Sequence, residues 1–334
     1  MKMIKLIVVV ALACVAAGCR TGDALSLWID GAHSKRAIEE YVAAVTDESS
    51  PDFIPPERRI AVFDLDGTLF CETNPTYFDW QLFERRVLDD PSYQASERLK
   101  AAARKSREKG VYPPLGNDRE SMTAEAYKDV SIEELKAMIH RFAEEPEPHY
   151  PGMKRGGLFY LPMVQLVEYL VEKGFAVYVV SGSERFIVRA LVCDRLPVPP
   201  WRVIGSDYTI VSKAQNGEDA LFYVFGQSDV PILDGTQIVK NLQMNKVSAL
   251  IREIGVKPVL CFGNSHTDAS MANYVIGGNK YRAAAFMVVC DDVKRENGNP
   301  KKAAEMKEEC KKFGWTPISM RDDWKTIYDV SPLR

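Results

Sequence analysis

The sequence has no Cys-x-x-Cys and only four histidines, His33, His140, His149 and His266, scattered along the chain. That excludes a zinc cage of thiolates and imidazoles. Seven cysteines form no close pairs, and the five beyond residue 19 (Cys71, Cys193, Cys261, Cys290 and Cys310) are an odd number, which is no disulfide framework. Positive charge is not in excess either. Lys and Arg number 43 against 46 Asp and Glu, a net charge of −3, so no nucleic acid is expected as a partner. No apolar run is long enough to span a bilayer as a stable helix. What remains is a chain of 334 residues, 46% hydrophobic and 27% charged, with material for a large core and a second domain.

The first 18 residues read as a leader and not as part of the fold. Lys2 and Lys5 give a positive start, Ile4 to Val15 is apolar but for Lys5, and Ala16-Ala17-Gly18 precedes Cys19. Cysteine directly after small residues resembles a bacterial lipoprotein signal. That resemblance implies a lipid on Cys19, an exported chain and a membrane as partner through the lipid. An ordinary cleaved signal and an uncleaved apolar start are the other readings.

Residues 19–55 carry helical spacing, with Leu25, Trp28 and Ile29 and then Ile38, Tyr41, Val42 and Val45 at i, i+3, i+4 and i+7 intervals. One or two helices are expected, ended by Ser49-Ser50-Pro51, with Trp28 as a packing anchor. Ile60 to Phe63 then reads as a short buried strand. It stops at Asp64, followed by Asp66, Gly67 and Thr68. Residues i and i+2 of a strand share a face, so Asp64 and Asp66 can meet in one small volume. Two like charges so close need a cation or a shared proton, and a hard, oxygen-seeking ion such as Mg²⁺ suits them. A plain polar turn at Asp-Gly is the alternative.

Residues 71–158 change character. Phe78, Trp80, Leu82, Phe83 and Val87 form an apolar helical stripe, 95–110 is charged and alanine-rich, and Ser131 with Glu134 has capping-box spacing. A crossover this long and helical is an inserted unit and no simple connection. Alternation of strand and helix then resumes. Phe175 to Val180 is a buried strand running into Ser181-Gly182-Ser183 at a helix start, where a hydroxyl and backbone N–H groups can meet an anion. Strands are expected over Val203–Ile210 and Ala220–Phe225 around the turn Asn216-Gly217, and a helix at Asp234-Gly235-Thr236. Lys240 and Lys246 precede a helical stripe of Val247, Leu250, Ile251 and Ile254. Val259 to Phe262 is a strand followed by Gly263-Asn264-Ser265-His266-Thr267-Asp268, and Ala284 to Val289 is read as the last strand.

Asp64-x-Asp66-x-Thr68 after a strand, Ser181-Gly182, a lysine and Gly263-Asn264-x-x-x-Asp268 come in the order of the four motifs of the haloacid dehalogenase (HAD) superfamily. The chain resembles that superfamily over about residues 56–290, most closely its phosphoserine phosphatase and phosphorylcholine phosphatase branch. Asn264 departs from the pattern, since aspartate is usual there. The resemblance implies a doubly wound, mostly parallel Rossmann-like α/β sheet, with core residues 56–70 and 159–334 and a helical cap at 71–158. It implies a Mg²⁺-dependent phosphomonoesterase acting on a small phosphorylated metabolite. Asp64 would be the nucleophile and Asp66 the acid and base. Ser181 and Lys246, with Lys240 in reserve, would hold the phosphoryl group. Asp64 and Asp66 would serve the metal, and Asn264 and Asp268 would hold the metal or orient Lys246. Thr68 and Gly182 would line the substrate site. His266 reads as a loop residue near it. Glu72 beside Trp80 would favour an amino-alcohol phosphate, although the aromatic residues here also fit the apolar face of a cap helix. A phosphomutase using the same aspartates and a non-catalytic binding lipoprotein are the alternatives.

Overall fold

A computed structural model describes residues 23–72, 77–110 and 117–329, without the side chains of 117–121. The expected leader and Cys19 lie outside the described residues. No helix among the described residues is long and apolar enough to cross a membrane.

Seven strands form one sheet: β1 (Ile60–Phe63), β2 (Ala176–Glu184), β3 (Val203–Ser212), β4 (Pro231–Val239), β5 (Leu260–Gly263), β6 (Ala284–Val289) and β7 (Thr316–Ser319). Their spatial order is β4-β3-β2-β1-β5-β6-β7. All neighbouring pairs are parallel except β3 with β4. The order steps outward from β1 in both directions, which makes the sheet doubly wound and opens a crevice at the carboxyl ends of β1, β2 and β5. The central strands β1 and β5 are buried at every residue, as expected of parallel strands covered on both faces. Phe63, Phe262 and Phe286 stack across β1, β5 and β6 with centroids 4.2 and 5.2 Å apart.

Helix α1 (His33–Thr46) buries Ile38, Tyr41, Val42 and Val45 on one face. The expected earlier helix does not form. Leu25 to Ile29 is a turn whose Trp28 is buried against Trp324 and donates from Nε1 to the Pro162 carbonyl at 3.0 Å. Between β1 and β2 lie α2 (Phe78–Glu84), α3 (Glu97–Lys109), α4 (Asn117–Ala126) and α5 (Ile132–Ala143). The Ser131–Glu134 capping box starts α5. Trp80, Phe83, Val87, Leu99 and Ala103 give this helical unit a small core of its own. The unit is tied to the sheet where Asp129 N–H donates to the Leu233 carbonyl (2.8 Å) and Leu233 N–H to the Val130 carbonyl (3.0 Å).

The remaining helices are α6 (Leu161–Glu172), α7 (Arg185–Val192), α8 (Met244–Ala249), α9 (Ala269–Ile276), α10 (Pro300–Phe313) and α11 (Met320–Asp323). Two expectations fail between β3 and α8. Ala220–Phe225 is an exposed loop, because Asp219 accepts from Leu221 N–H through its side chain and from Phe222 N–H through its carbonyl, both at 2.9 Å. That turn competes with strand extension. Asp234-Gly235-Thr236 opens no helix and lies inside β4, where Asp234 Oδ1 takes the Thr236 N–H at 2.7 Å and Gly235 adopts φ +88° in an irregular stretch of the ladder.

Candidate active site

Asp64 follows β1 directly, its N–H bonded to the Phe262 carbonyl of β5 at 2.9 Å. The backbone then turns sharply: Leu69 and Phe70 N–H both return to the Leu65 carbonyl, and Gly67 N–H donates to Phe70 O at 2.6 Å. Gly67 sits at φ +79°, and a Cβ there would lie 1.9 Å from Asn264 Nδ2. Only glycine both tolerates that conformation and leaves room for Asn264.

Behind Asp64 lies a buried charge cluster. Lys246, on the first turn of α8 and fully buried, donates from Nζ to Asp64 Oδ1 and to Asp268 Oδ1, each at 2.6 Å. Asp268 Oδ2 accepts the N–H groups of Asn264 (3.1 Å) and Ser265 (3.2 Å). Burial raises the Asp64 carboxyl, with Asp268 adding to the rise and Lys246 opposing it. The two carboxylates in turn hold Lys246 above its ordinary value against the opposing effect of burial. The start of α8 is fastened to the loop after β5, Gln243 N–H donating to Thr267 O (3.1 Å) and Gln243 Nε2 to His266 O (2.9 Å). Lys246, and not Lys240, is therefore the lysine at the carboxylate. Lys240 lines the cavity in front of it.

That cavity has a volume of about 670 Å³ and is lined by Asp64, Asp66, Glu72, Asp79, Ser183 and Asn264 among others. Asp66 Oδ2 accepts from Ser183 Oγ at 2.8 Å, and the same hydroxyl stands 3.4 Å from Asp79 Oδ2 of α2. Burial, reinforced by the charge of Asp79, pushes the Asp66 carboxyl up to about 7. A carboxyl raised in this way is suited both to give and to take a proton. Gly182 lines the cavity, and a Cβ there would meet Leu242 Cδ2 at 2.4 Å. Ser181 is fully buried one residue earlier, its hydroxyl accepting from Ser183 N–H at 3.0 Å. Thr68 is buried, with Oγ1 unpartnered among the described residues. His266 is exposed at the rim, with Nδ1 3.1 Å from Glu309.

Trp80 changes place, and Asp268 takes the second of its two expected roles, at Lys246. Trp80 is not at the site: it is buried in the cap's own core, edge-on to Phe83 with centroids 5.5 Å apart, and so is the apolar face of the cap helix. Asp268 is no cation ligand, because it is fully buried with one oxygen on Lys246 and the other on two backbone N–H groups. Sequence reasoning missed Ser183 and Asp79. Ser183 was visible as the second hydroxyl of Ser-Gly-Ser. Asp79 gave only the signal of one acid amid apolar helix residues.

Among the described residues no three His, Cys, Asp or Glu side chains converge as a metal cage. A cation here would take carboxylate, amide and solvent oxygens, a donor set suited to Mg²⁺. One atom fits such a role. Asn264 Oδ1 is buried and has no hydrogen-bond partner among the described residues, a costly state for a carbonyl unless something is bound there.

The sheet and the site together are those of an α/β enzyme that works with carboxylates at the carboxyl ends of parallel strands. More particularly, the chain belongs to the haloacid dehalogenase-like hydrolase family, whose model matches residues 61–273. It is similar to a conserved functionally unknown protein from Anaerococcus prevotii DSM 20548, with 14% identity and a TM-score of 0.52, over 85% of this chain and 91% of that one. A cytosolic 5′-nucleotidase IIIB bound to cytidine aligns at 16% identity and TM-score 0.49, over 88% and 87% of the two chains. A phosphoserine phosphatase, as a phospho-aspartyl intermediate analogue, aligns at 13% and 0.37, over 77% and 99%. At 14% identity the likeness to the Anaerococcus protein speaks for the fold alone. No curated protein matches the chain.

Proposed function

We propose that this hydrolase is a Mg²⁺-dependent phosphomonoesterase working through an aspartyl-phosphate. The observation that carries the reading is the pairing of Asp64, held by buried Lys246 at 2.6 Å, with Asp66, held by the Ser183 hydroxyl at 2.8 Å on the same cavity. An Asp64 carboxylate oxygen attacks phosphorus and the bond to the leaving oxygen breaks. Asp66 gives that oxygen its proton, and the alcohol departs. Asp66, now ionised, takes a proton from water as the water attacks the aspartyl-phosphate. The phosphorus–Asp64 bond breaks, inorganic phosphate leaves, and both aspartates return to their starting state. Lys246 keeps Asp64 oriented and offsets charge on the phosphoryl group. Ser183 holds Asp66 toward the cavity. Asp64, Asp66 and Asn264 would hold the cation, which when bound supplies positive charge to the phosphoryl oxygens.

The leaving group we propose is a small cationic alcohol. Asp79 supports this, with its Oδ1 buried and unpartnered among the described residues. We further propose export and anchoring through a lipid on Cys19. The test of the activity is a panel of phosphoesters with and without Mg²⁺, reading free phosphate and isomerised product. Mg²⁺-dependent phosphate release is expected. Isomerised product without free phosphate would make the enzyme a mutase, and neither product would leave a binding protein.

A further inference from the structure

Asparagine at 264 brings one negative charge fewer to a cation than a carboxylate would. What the chain puts beside it is Glu72. The Asn264 amide and the Glu72 carboxylate are neighbours on the cavity wall. Oδ1 has no partner among the described residues, and it is the amide nitrogen that lies on the Glu72 side. The two meet over Gly67: a Cβ on that residue would lie 1.9 Å from Asn264 Nδ2 and 2.7 Å from Glu72 Cδ. An asparagine amide is nearly symmetrical in shape, and which end faces a given direction is decided by its hydrogen-bond partners. An acceptor-only carboxylate at Nδ2 leaves the oxygen as the end presented elsewhere. Asp268 cannot make up the missing charge, because both its oxygens are engaged behind the site. Glu72 lines the same cavity as Asp64, Asp66 and Asn264, with Lys302 of α10 also on the wall.

We propose that Glu72 is a positioning residue of the cation site: it turns the Asn264 amide so that Oδ1 is offered as a ligand, and it supplies the carboxylate charge that asparagine lacks. This rests on the cation-dependent reading above and moves Glu72 from the substrate to the metal side of the cavity. Residues that orient metal ligands typically change metal affinity by about 10–100-fold when replaced.

The test measures cation binding directly, without substrate, by Mn²⁺ electron paramagnetic resonance and Mg²⁺ calorimetry on the full chain. Glu72→Gln removes the charge, and Glu72→Leu removes both charge and acceptor. Each is expected to weaken Mn²⁺ binding, the Gln variant by about 10-fold and the Leu variant by up to about 100-fold. The double variant Glu72→Gln with Asn264→Asp is expected to bind Mn²⁺ as the native protein does, because the carboxylate is restored at the ligand position. Circular dichroism and melting temperature show that each variant is folded, and Glu72→Gln, nearly isosteric, carries the test if the Leu variant is not. Native Mn²⁺ affinity in both single variants overturns this proposal and leaves the phosphatase reading standing. No Mn²⁺ or Mg²⁺ binding by the native protein overturns both.

Discussion

Lys246 Nζ lies 2.6 Å from Asp64 Oδ1, and both side chains are almost wholly withdrawn from solvent. With Asp268 at the same distance on its other side, the lysine is shared between two buried carboxylates. Removing one member of a buried ion pair strands the other, at about 3–5 kcal/mol. Lys246→Met is therefore expected to lose about that much stability at pH 7.5, read from urea unfolding. The deficit should shrink at pH 5, where the stranded Asp64 carboxylate, already raised by burial, takes up a proton. Turnover should fall by about 10²–10³, the usual effect of deleting one charge-stabilising donor. A variant as stable as the native protein at pH 7.5 would mean that the cluster does not hold the site together.

Asp64→Asn tests the nucleophile. The amide keeps the size of the carboxylate and an oxygen for Lys246, so the fold should survive. It is a poor nucleophile, so turnover and trapped phosphoenzyme should both disappear. Phosphoenzyme formation at near-native rate in this variant would place the nucleophile elsewhere.

Asp79 reports on the leaving group. Its carboxylate stands by the Ser183–Asp66 bond and lines the cavity. Asp79→Asn removes one charge and is expected to lower kcat/KM for phosphocholine about tenfold, worth about 1.4 kcal/mol, while leaving a hexose phosphate nearly unchanged. Equal losses for both substrates would show that Asp79 acts on Asp66 and not on the alcohol.

The strands that build the site were legible because they are buried on both faces: Ile60–Phe63, Leu260–Gly263 and Ala284–Val289 read as unbroken apolar runs. Asp64 and Asn264, at the ends of two of them, follow from where those runs stop. Other elements obey different physics. Thr316–Ser319 contains Pro317, which argues against a strand in mid-sheet but is accepted in β7 at the sheet's edge. Leu25, Trp28 and Ile29 imitate helical spacing, yet Trp28 is fixed by a partner nearly three hundred residues away, Trp324. Asp79 joins Ser183 only when the cap docks on the core, and no local pattern encodes that meeting. Trp80, next to it, faces the other way into the cap, because neighbouring residues of a helix point in different directions.

Cys19→Ser tests the proposed anchor. Without the thiol no lipid can be attached, and the protein should move from the membrane fraction to the soluble fraction of the producing cell. The catalytic unit should keep its activity, since the cavity is lined by residues between 64 and 309. Unchanged membrane association in the serine variant would assign the attachment to something other than Cys19.

Glu184 makes stability depend on pH without belonging to the chemistry. It ends β2 and caps α7, its Oε2 accepting Phe186 N–H at 2.8 Å and Ile187 N–H at 3.1 Å. Its Oε1 is buried and unpartnered among the described residues. Burial pushes the carboxyl from 4.5 up to about 8, against the two backbone bonds that favour the charged form. The folded state therefore keeps a proton that the unfolded chain gives up above pH 4.5. The stability this contributes is fully present below 4.5 and is lost as pH rises toward 8. Glu184→Gln keeps an acceptor oxygen for the cap and carries no charge. It should match the native protein near pH 4.5 and exceed it by about 1–3 kcal/mol at pH 8. Glu184→Ala, which loses the cap, should be less stable than Glu184→Gln at every pH, by about 1 kcal/mol. Urea unfolding of the three proteins at pH 5, 6.5 and 8 decides the matter. If the gap between Glu184→Gln and native does not widen with pH, the carboxyl is ionised in the folded state and its proton has no part in stability.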